Sequence, residues 1–455
     1  MSRPLSHRRQ PNRVAAVLLL VLLTMLLSPL AGHAQGRCGD DAPALLPAVP
    51  AEQARTGLRT LVRRAIDQSP QLNATRLLAE AALDDTDEMR AAKAPQASLS
   101  TSFGPSVNRS AGHTGTSALQ AGASLGVSQL LWDGGRTDRL IGWRQRLADA
   151  ARYGDLNGRE LLALSTISLA LERSRFQQQV LVYGQYVRKM QCLSQSLEQI
   201  VAADRGRLSE LVQVRKSLQQ AELARVTTES QLRQIDVRLK RFVGEPLPAP
   251  EDWSALLKAV PDVVSLQQEA QRSAEIAQLD ASAEAAQQLA RSVEASQQPR
   301  ISWNGGANAN SAFGGNLGTS HAKGLSVGLA ISIPLLDAGN VAATAAAKKR
   351  AMAAALQRDE ALQARRTRIA EVYEQTTASF DRAQRVDAVL RDSERLRDAT
   401  LQQWQQLGRR SLFDVMAAEG DHYGLRISLV NALIDGQQSN AVLLSLGRGV
   451  TEFLQ

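Results

Sequence analysis

Cysteine, histidine and aromatic residues are all scarce in this chain of 455 residues. There are two cysteines and five histidines, and Phe, Trp and Tyr together make up 4% of the residues. Cys38 and Cys192 are too few for a disulfide framework. The histidines lack the spacing of metal ligands, and no nucleophile–base constellation or phosphate-binding loop is apparent. The sequence therefore predicts neither an enzyme nor a site for a metal or other cofactor.

Long apolar runs are absent beyond the N-terminus, where residues 1–34 have the features of a cleaved signal peptide. Four arginines (3, 8, 9 and 13) precede an apolar segment, 14–27, and small residues, Gly32 and Ala34, follow it. An uncleaved anchor is the alternative, but a spanning helix needs about 20 apolar residues. Loss of these four arginines lowers the net charge from +8 to +4, so the high pI does not indicate nucleic-acid binding. The sequence around Cys38, "AQGRC", lacks a lipobox, which argues against a lipid anchor.

An internal repeat organises the remaining chain. The segment "QLLWDGGRTDRL" (129–140) resembles "IPLLDAGNVAAT" (333–344), with Asp133 and Asp337 lying 204 positions apart. Pro95 and Pro299 are separated by the same 204 positions, and Gly206 and Gly408 by 202. These offsets predict a tandem duplication with its first half at 52–244 and its second at 255–449. The predicted remainder is an irregular leader (35–51), a Pro-rich linker (245–254) and a C-terminal end (450–455).

Each half contains two segments in which apolar and polar residues alternate. We predict β-hairpins at 96–131 and 300–335. Their alternation is longer than the usual strand of about 5–6 residues, and it is typical of strands that cross a bilayer with one lipid-facing side. A soluble sandwich is the alternative. Two hairpins cannot close a membrane barrel, which needs about eight strands, so several copies would have to combine their hairpins.

The other segments are typical of helices. Two proline-free stretches, 135–203 and 339–407, predict long helices of roughly 100 Å at about 1.5 Å per residue. Return helices are expected at 207–243 and 412–446, because their apolar residues have coiled-coil spacing. Shorter helices are predicted at 54–93 and 261–297. The predicted fold is thus mostly α, with a transmembrane β portion.

Taken in this order, the motifs resemble the outer-membrane efflux (TolC-like) family. The resemblance is carried by the strand-to-helix elbows "LLWDGGRTDRL" and "PLLDAGNVAAT" and by the turns "RGRLSEL" and "LGRRSLFDVM". It implies a homotrimeric channel-tunnel with four strands per protomer, a twelve-stranded barrel in the outer membrane and a helical barrel in the periplasm. It also implies a passive exit duct that works with a periplasmic adaptor protein and an inner-membrane ABC exporter or proton-driven pump.

The resemblance assigns the turns between the long helices to adaptor contact. The residues concerned are Arg205, Gly206 and Arg207 in the first turn and Leu407, Gly408 and Arg409 in the second. The family has apolar or small residues beside the glycine, so the arginines depart from its pattern. A reversal between helices often requires a positive φ, which would explain the glycines.

The family's acidic constriction maps onto Asp414. Its second carboxylate maps onto Ala417, so at most one acidic ring is expected. Arg410 corresponds to an arginine that latches the closed state, and Glu210 is a candidate partner for it. Alternatively, Asp414 is a first-turn acid that stabilises the helix N-terminus, and the arginines are simply solvated charges.

The remaining candidate residues have architectural roles. Asp133, Gly134 and Gly135, and likewise Asp337 and Gly339, are expected to form the elbows at which a strand gives way to a helix. Trp132 and Trp303 are predicted to lie at the membrane edge, where aromatic residues concentrate. Ordinary packing of these tryptophans is the alternative.

Two classes of substrate are compatible with the family resemblance. Protein export by type I secretion is the prediction, because many drug-efflux relatives carry the lipid anchor that this sequence lacks. A small-molecule or multidrug efflux duct is the alternative within the family. Outside it, a periplasmic coiled-coil adaptor or a soluble scaffold protein remains open.

Overall fold

The computed structural model describes residues 50–108, 116–249, 256–314, 319–407 and 409–454. The predicted signal peptide, almost all of the leader, Cys38, Gly408 and the second half of the linker (250–254) lie outside these ranges. Among the described residues, no helix combines the length and the apolar character needed to cross a membrane.

Most described residues are helical, and one four-stranded antiparallel sheet accompanies the helices. The first half contains α1 (Ala51–Gln68), α2 (Pro70–Ala91), β1 (Gln96–Asn108), β2 (Thr116–Trp132), α3 (Arg136–Ala203) and α4 (Leu208–Val243). The second contains α5 (Val263–Glu269), α6 (Ala274–Ala295), β3 (Arg300–Phe313), β4 (Ser320–Ser332), α7 (Ala338–Leu407), α8 (Leu412–Leu446) and α9 (Val450–Leu454). This confirms the predicted combination of long helices with a small antiparallel sheet.

Each of the shorter helical segments predicted at 54–93 and 261–297 consists of two helices. Pro70 lacks an N–H and therefore begins α2 as a new helix. The Ser69 hydroxyl accepts a hydrogen bond from the Leu72 N–H at 3.2 Å and caps that helix. A 3₁₀ turn, Ala270–Arg272, separates α5 from α6.

The sheet has the order β1-β2-β3-β4, so β1 and β4 are its edges. Continuous registers join β1 to β2 from Gln96↔Ser128 to Asn108↔Thr116, and β3 to β4 from Arg300↔Ser332 to Ala312↔Ser320. Between β2 and β3 the register shifts at Leu130/Trp132. The fourth strand ends at Ser332 rather than at the predicted 335, because Pro334 lacks the N–H that a sheet ladder requires.

The chain divides into two compact units. We call residues 179–228 and 393–424 the tip unit, and the other described residues the sheet unit. The tip unit has a core of apolar residues from α3, α4 and α8: Met190, Leu193, Leu197, Leu211, Val214, Leu412, Val415 and Met416.

The sheet unit has a larger core that draws on α1, α3, α4 and α8. The C-terminal end (450–455) contains the short helix α9, whose Val450 and Leu454 are buried in this core.

Candidate functional site

One face of the sheet is apolar and exposed to solvent in the single chain. Paired residues on neighbouring strands point to the same side of a sheet, and the register brings Leu99 opposite Leu125 and Trp303 opposite Leu329. The exposed fraction reaches 83% at Leu325 and 65% at Leu329. Large side chains on this face are Leu99, Phe103, Val107, Leu125, Leu325, Val327, Leu329 and Ile331. A contiguous apolar patch of this kind is typical of a surface that meets another apolar phase.

The opposite face is polar and made of small residues. It is formed chiefly by Ser, Asn, Gln and Gly, and the hydroxyl oxygens of Ser100 and Ser124 lie 2.7 Å apart across β1 and β2. Within the described strands its one charged residue is Arg300, at the start of β3. On the apolar face the one charged residue is Lys323, near the start of β4. The sheet therefore separates an apolar surface from a nearly neutral hydrophilic one.

Trp132 and Trp303 both lie on the apolar face, near the end at which the strands meet the helices. Trp132 is opposite Ile301 in the register, and Ile301 and Trp303 are two positions apart on β3. Trp132 is 47% exposed. An aromatic ring at the end of an apolar band suits a membrane–water interface, where its amphipathic character is an advantage.

The first elbow is a turn that ends β2 and begins α3. The Asp133 carboxylate accepts hydrogen bonds from the N–H and the hydroxyl of Thr137 at 2.8 and 2.5 Å. Gly134 and Gly135 have positive φ values of 66° and 80°, which glycine adopts without steric cost. These bonds form a helix cap at the point where the chain changes direction, and the Asp133 carboxylate is used in forming that cap.

Gly134 should tolerate substitution far less well than Gly135. A Cβ at Gly134 would lie 2.3 Å from the Gln298 Cβ, whereas nothing lies within 4 Å of one at Gly135. We expect Gly135→Ala to cost about 1–2 kcal/mol for its backbone conformation. Gly134→Ala should cost about 2–5 kcal/mol, because overpacking is added. Unfolding midpoints of the two purified variants test this, and equal losses of stability would contradict it.

The second elbow is simpler. The Asp337 carboxylate accepts a hydrogen bond from the Asn340 N–H at 3.0 Å and caps α7. The Asn340 side chain lies 2.9 Å from the Ser296 hydroxyl, at the end of α6. A Cβ at Gly339 would lie 3.2 Å from the Asp337 carboxylate. The structure thus brings together the elbow and the turn before β3, a contact that the sequence pattern did not indicate.

The turn between α3 and α4 is closed by Asp204. Its carboxylate accepts a hydrogen bond from the Gly206 N–H at 2.9 Å, within a 3₁₀ turn formed by Arg205–Arg207. Gly206 is not among the glycines of positive φ, so the reason predicted for this glycine is wrong. A Cβ here would lie 3.1 Å from the Asp204 oxygen, and close approach of that cap is the physical reason for a small residue.

The turn between α7 and α8 places Asp414 in a capping box. The Asp414 N–H donates to the Ser411 hydroxyl, the Ser411 N–H donates to the Asp414 carboxylate, and both distances are 3.2 Å. Such reciprocal bonds satisfy two N–H groups at the start of a helix. Asp414 is nevertheless exposed. It therefore has the helix-capping role foreseen as the alternative, and its free side faces solvent.

The predicted latch between Arg410 and Glu210 is not formed within the chain. Arg410 donates to the Gln403 side chain at 3.2 Å, while Glu210 lies 3.6 Å from the Arg207 guanidinium. The three-residue spacing from Arg207 to Glu210 on one helix explains this preference.

The two turns present cations together with apolar side chains. Arg205, Arg409 and Arg410 are exposed, as are Leu208, Val212 and Phe413. Leu407 ends α7. Exposed guanidinium groups beside apolar residues suit a protein interface, where Arg is enriched.

A buried ion pair in the tip unit was missed at the sequence level. The Lys189 ammonium lies 3.2 Å from the Glu419 carboxylate, and their side chains are 1% and 0% exposed. The apolar seam of α8 includes Tyr423 and Ile427, spaced by four. Four positions before Tyr423, the same seam contains Glu419. A charged residue at a position where the pattern expects an apolar one could have indicated a buried ion pair.

Metal-binding chemistry finds no support in the described ranges, which contain no group of three or more His, Cys, Asp or Glu side chains placed to hold an ion. What the geometry offers is an amphipathic sheet, two capped elbows and two cationic turns.

Comparisons with known proteins agree with this geometry. Residues 265–447 match the family "Outer membrane efflux protein". A comparison with curated protein sequences finds no significant match.

Solved channel structures match nearly the whole chain at low sequence identity. Vibrio cholerae VceC has a TM-score of 0.74 and 18% identity, and the match covers 88% of this chain and 99% of VceC. The outer-membrane channel OprN has a TM-score of 0.75 at 16% identity, with 89% and 93% covered. The open state of Neisseria gonorrhoeae MtrE has a TM-score of 0.68 at 15% identity, with 86% and 90% covered. Residues 265–447 thus match the outer membrane efflux protein family, and the chain has the fold of these solved outer-membrane channels.

Proposed function

We propose that three copies of this chain form an exit duct in the outer membrane. The observation that carries the proposal is the four-stranded sheet with one exposed apolar face and two open edges, β1 and β4. Unpaired strand edges are not tolerated in lipid, and closed barrels need about eight strands or more. Three copies supply twelve strands, their apolar faces meet lipid, and their neutral polar faces line the lumen.

The long helices continue this duct into the periplasm. The order of short helix, hairpin, long helix and returning helix occurs in both halves, which supports a tandem duplication near 52–244 and 255–449. Each protomer then contributes two helical hairpins to one helical barrel. The duct is passive and no reaction is assigned to it.

The two turns are the proposed contact with a periplasmic adaptor, which connects the duct to an inner-membrane pump. The residues proposed for this contact are Arg205, Gly206 and Arg207 in the first turn and Leu407, Gly408 and Arg409 in the second. Asp414 projects from the first turn of α8 beside it, and three copies would place three carboxylates at the mouth. Arg410 belongs to the same mouth.

The substrate class separates two versions of this function. Protein export by type I secretion was predicted from the missing lipobox, whereas the family description, efflux, favours small molecules. Deletion of the gene distinguishes them: loss of a secreted protein from the medium supports protein export, and hypersensitivity to small toxic compounds supports efflux. A periplasmic adaptor or soluble scaffold is disfavoured by the apolar sheet face, which would be left in water.

Channel activity in planar bilayers tests the proposal. The purified full-length protein should form cation-conducting channels, and Asp414→Asn should weaken block by divalent cations several-fold because the ring of charge is lost. Asn retains an oxygen that caps the helix, so trimers should remain intact. Ser411→Ala removes only the cap and is the matched control. Unchanged block in Asp414→Asn would refute the constriction, and absence of channels would refute the duct.

A further inference from the structure

The buried ion pair Lys189–Glu419 joins α3 to α8 in the tip unit. Removing two charges from water is costly, and the mutual attraction of such a pair often fails to compensate. Replacement by apolar residues of similar volume is therefore often neutral for stability. A buried ion pair is therefore better explained by the alternative helix packings that it excludes than by a gain in stability. The best-attested role of such pairs is to fix the register of one helix against another.

The layers on either side of the pair are apolar or aromatic. The rings of Tyr186 and Tyr423, about one turn away on each helix, have centroids 4.9 Å apart. Burial raises the pKa of Tyr186 above its usual range, and the Glu419 and Asp421 carboxylates raise it further. On the other side, Leu193 and Val415 belong to the tip core. The ion pair thus lies between an aromatic layer, beside which His422 is also buried, and an apolar one.

A slip of α8 along α3 by one turn would destroy this layer. The helices are antiparallel here, since Tyr186 precedes Lys189 while its partner Tyr423 follows Glu419. A slip in one direction would place Lys189 against Val415 or Met416, and in the other against Tyr423. Each arrangement buries two charges without their mutual contact, which is strongly unfavourable. The neighbouring layers, Tyr186 with Tyr423 and Leu193 with Val415, carry no charged side chain, so a slip would bury no unpaired charge there.

We propose that the Lys189–Glu419 pair fixes the axial register of α8 on α3 and thereby positions the mouth of the duct. The inference rests on the proposed function. Asp414 lies five residues before Glu419 on α8, and the capping box with Ser411 fixes where that helix begins. The height of Asp414 at the mouth is therefore set by the register of the pair. Lys189 and Glu419 are positioning residues that do not line the duct.

The test replaces both charges at once in the full-length protein. Lys189→Met with Glu419→Met keeps unbranched side chains of similar size and leaves no unpaired buried charge. We expect trimers of wild-type thermal stability that show several conductance levels, with a mean single-channel conductance at least two-fold different from wild type. Replacing Arg215 and Glu198 by Met, an exposed pair 2.9 Å apart in the same unit, is the matched control and should leave conductance unchanged.

Each outcome decides the inference. Stable trimers with one wild-type conductance level would overturn it. Failure of the double-methionine protein to assemble would also overturn it, because the pair would then serve stability and not register. Failure of the proposed function is a separate result, in which the wild-type protein itself forms no channels.

Discussion

Val327→Arg is expected to abolish assembly in the outer membrane, whereas the neighbouring Ser326→Arg is not. Val327 lies in the apolar face of β4, between Leu325 and Leu329, and is 70% exposed in the single chain. An arginine at the bilayer midplane costs about 2–4 kcal/mol, and a trimer would incur this cost three times. We expect the amount of heat-modifiable trimer in the outer-membrane fraction to fall at least ten-fold.

Ser326→Arg is the matched control because the adjacent strand position points to the other face. Ser326 is paired with Gly306 on the polar side, where a charge remains in water. Trimers should form normally, and the reversal potential in planar bilayers should shift toward anion selectivity. Equal assembly of both variants, or loss of only the Ser326 variant, would contradict the assignment of the two faces.

Charge reversal at the tips is expected to stop export without affecting the channel. Arg205 and Arg409 are exposed in the two turns, and each change to Glu replaces a cation by an anion. If the turns dock onto an adaptor, like-charge contacts should replace favourable ones and weaken the complex by several kcal/mol. We expect Arg205→Glu with Arg409→Glu to reduce export at least ten-fold while trimer yield and conductance stay at wild-type levels.

Lys216→Glu is the control for this experiment. Lys216 is exposed on α4, two turns of helix beyond the first tip, so its reversal makes the same change in charge as one of the two arginine reversals, but outside the proposed contact. Normal export in the double Arg variant, or an equal loss in Lys216→Glu, would argue against adaptor contact at the turns.

Features governed by local periodicity could be predicted from the sequence. Alternation of apolar and polar residues indicated which face of each strand Leu99 or Leu325 would occupy, and Asp133-Gly134-Gly135 indicated a turn before a helix. Absence of proline indicated the two long helices. Each of these properties depends on neighbours within a few residues, so the chain itself carries the information.

Features governed by distant contacts, or by a competition between local conformations, could not be predicted from the sequence. Asp414 has a carboxylate suited to a constriction, but the nearby Ser411 N–H competes for it. Gly206 adopts an ordinary φ because Asp204 closes the turn with a side-chain cap. Lys189 and Glu419 lie on different helices, and only the packing of α3 against α8 brings them together. Helix periodicity does not specify which residues of two helices lie opposite each other.

The number of chains in the assembly tests the central claim most directly, because the four-stranded sheet is incomplete as a membrane structure until its edges are paired. We predict that native mass spectrometry of the protein extracted from outer membranes will give three times the mass of one mature chain. A mass of one or two chains would contradict the account, since four or eight strands from this sheet could not provide the proposed twelve-stranded duct.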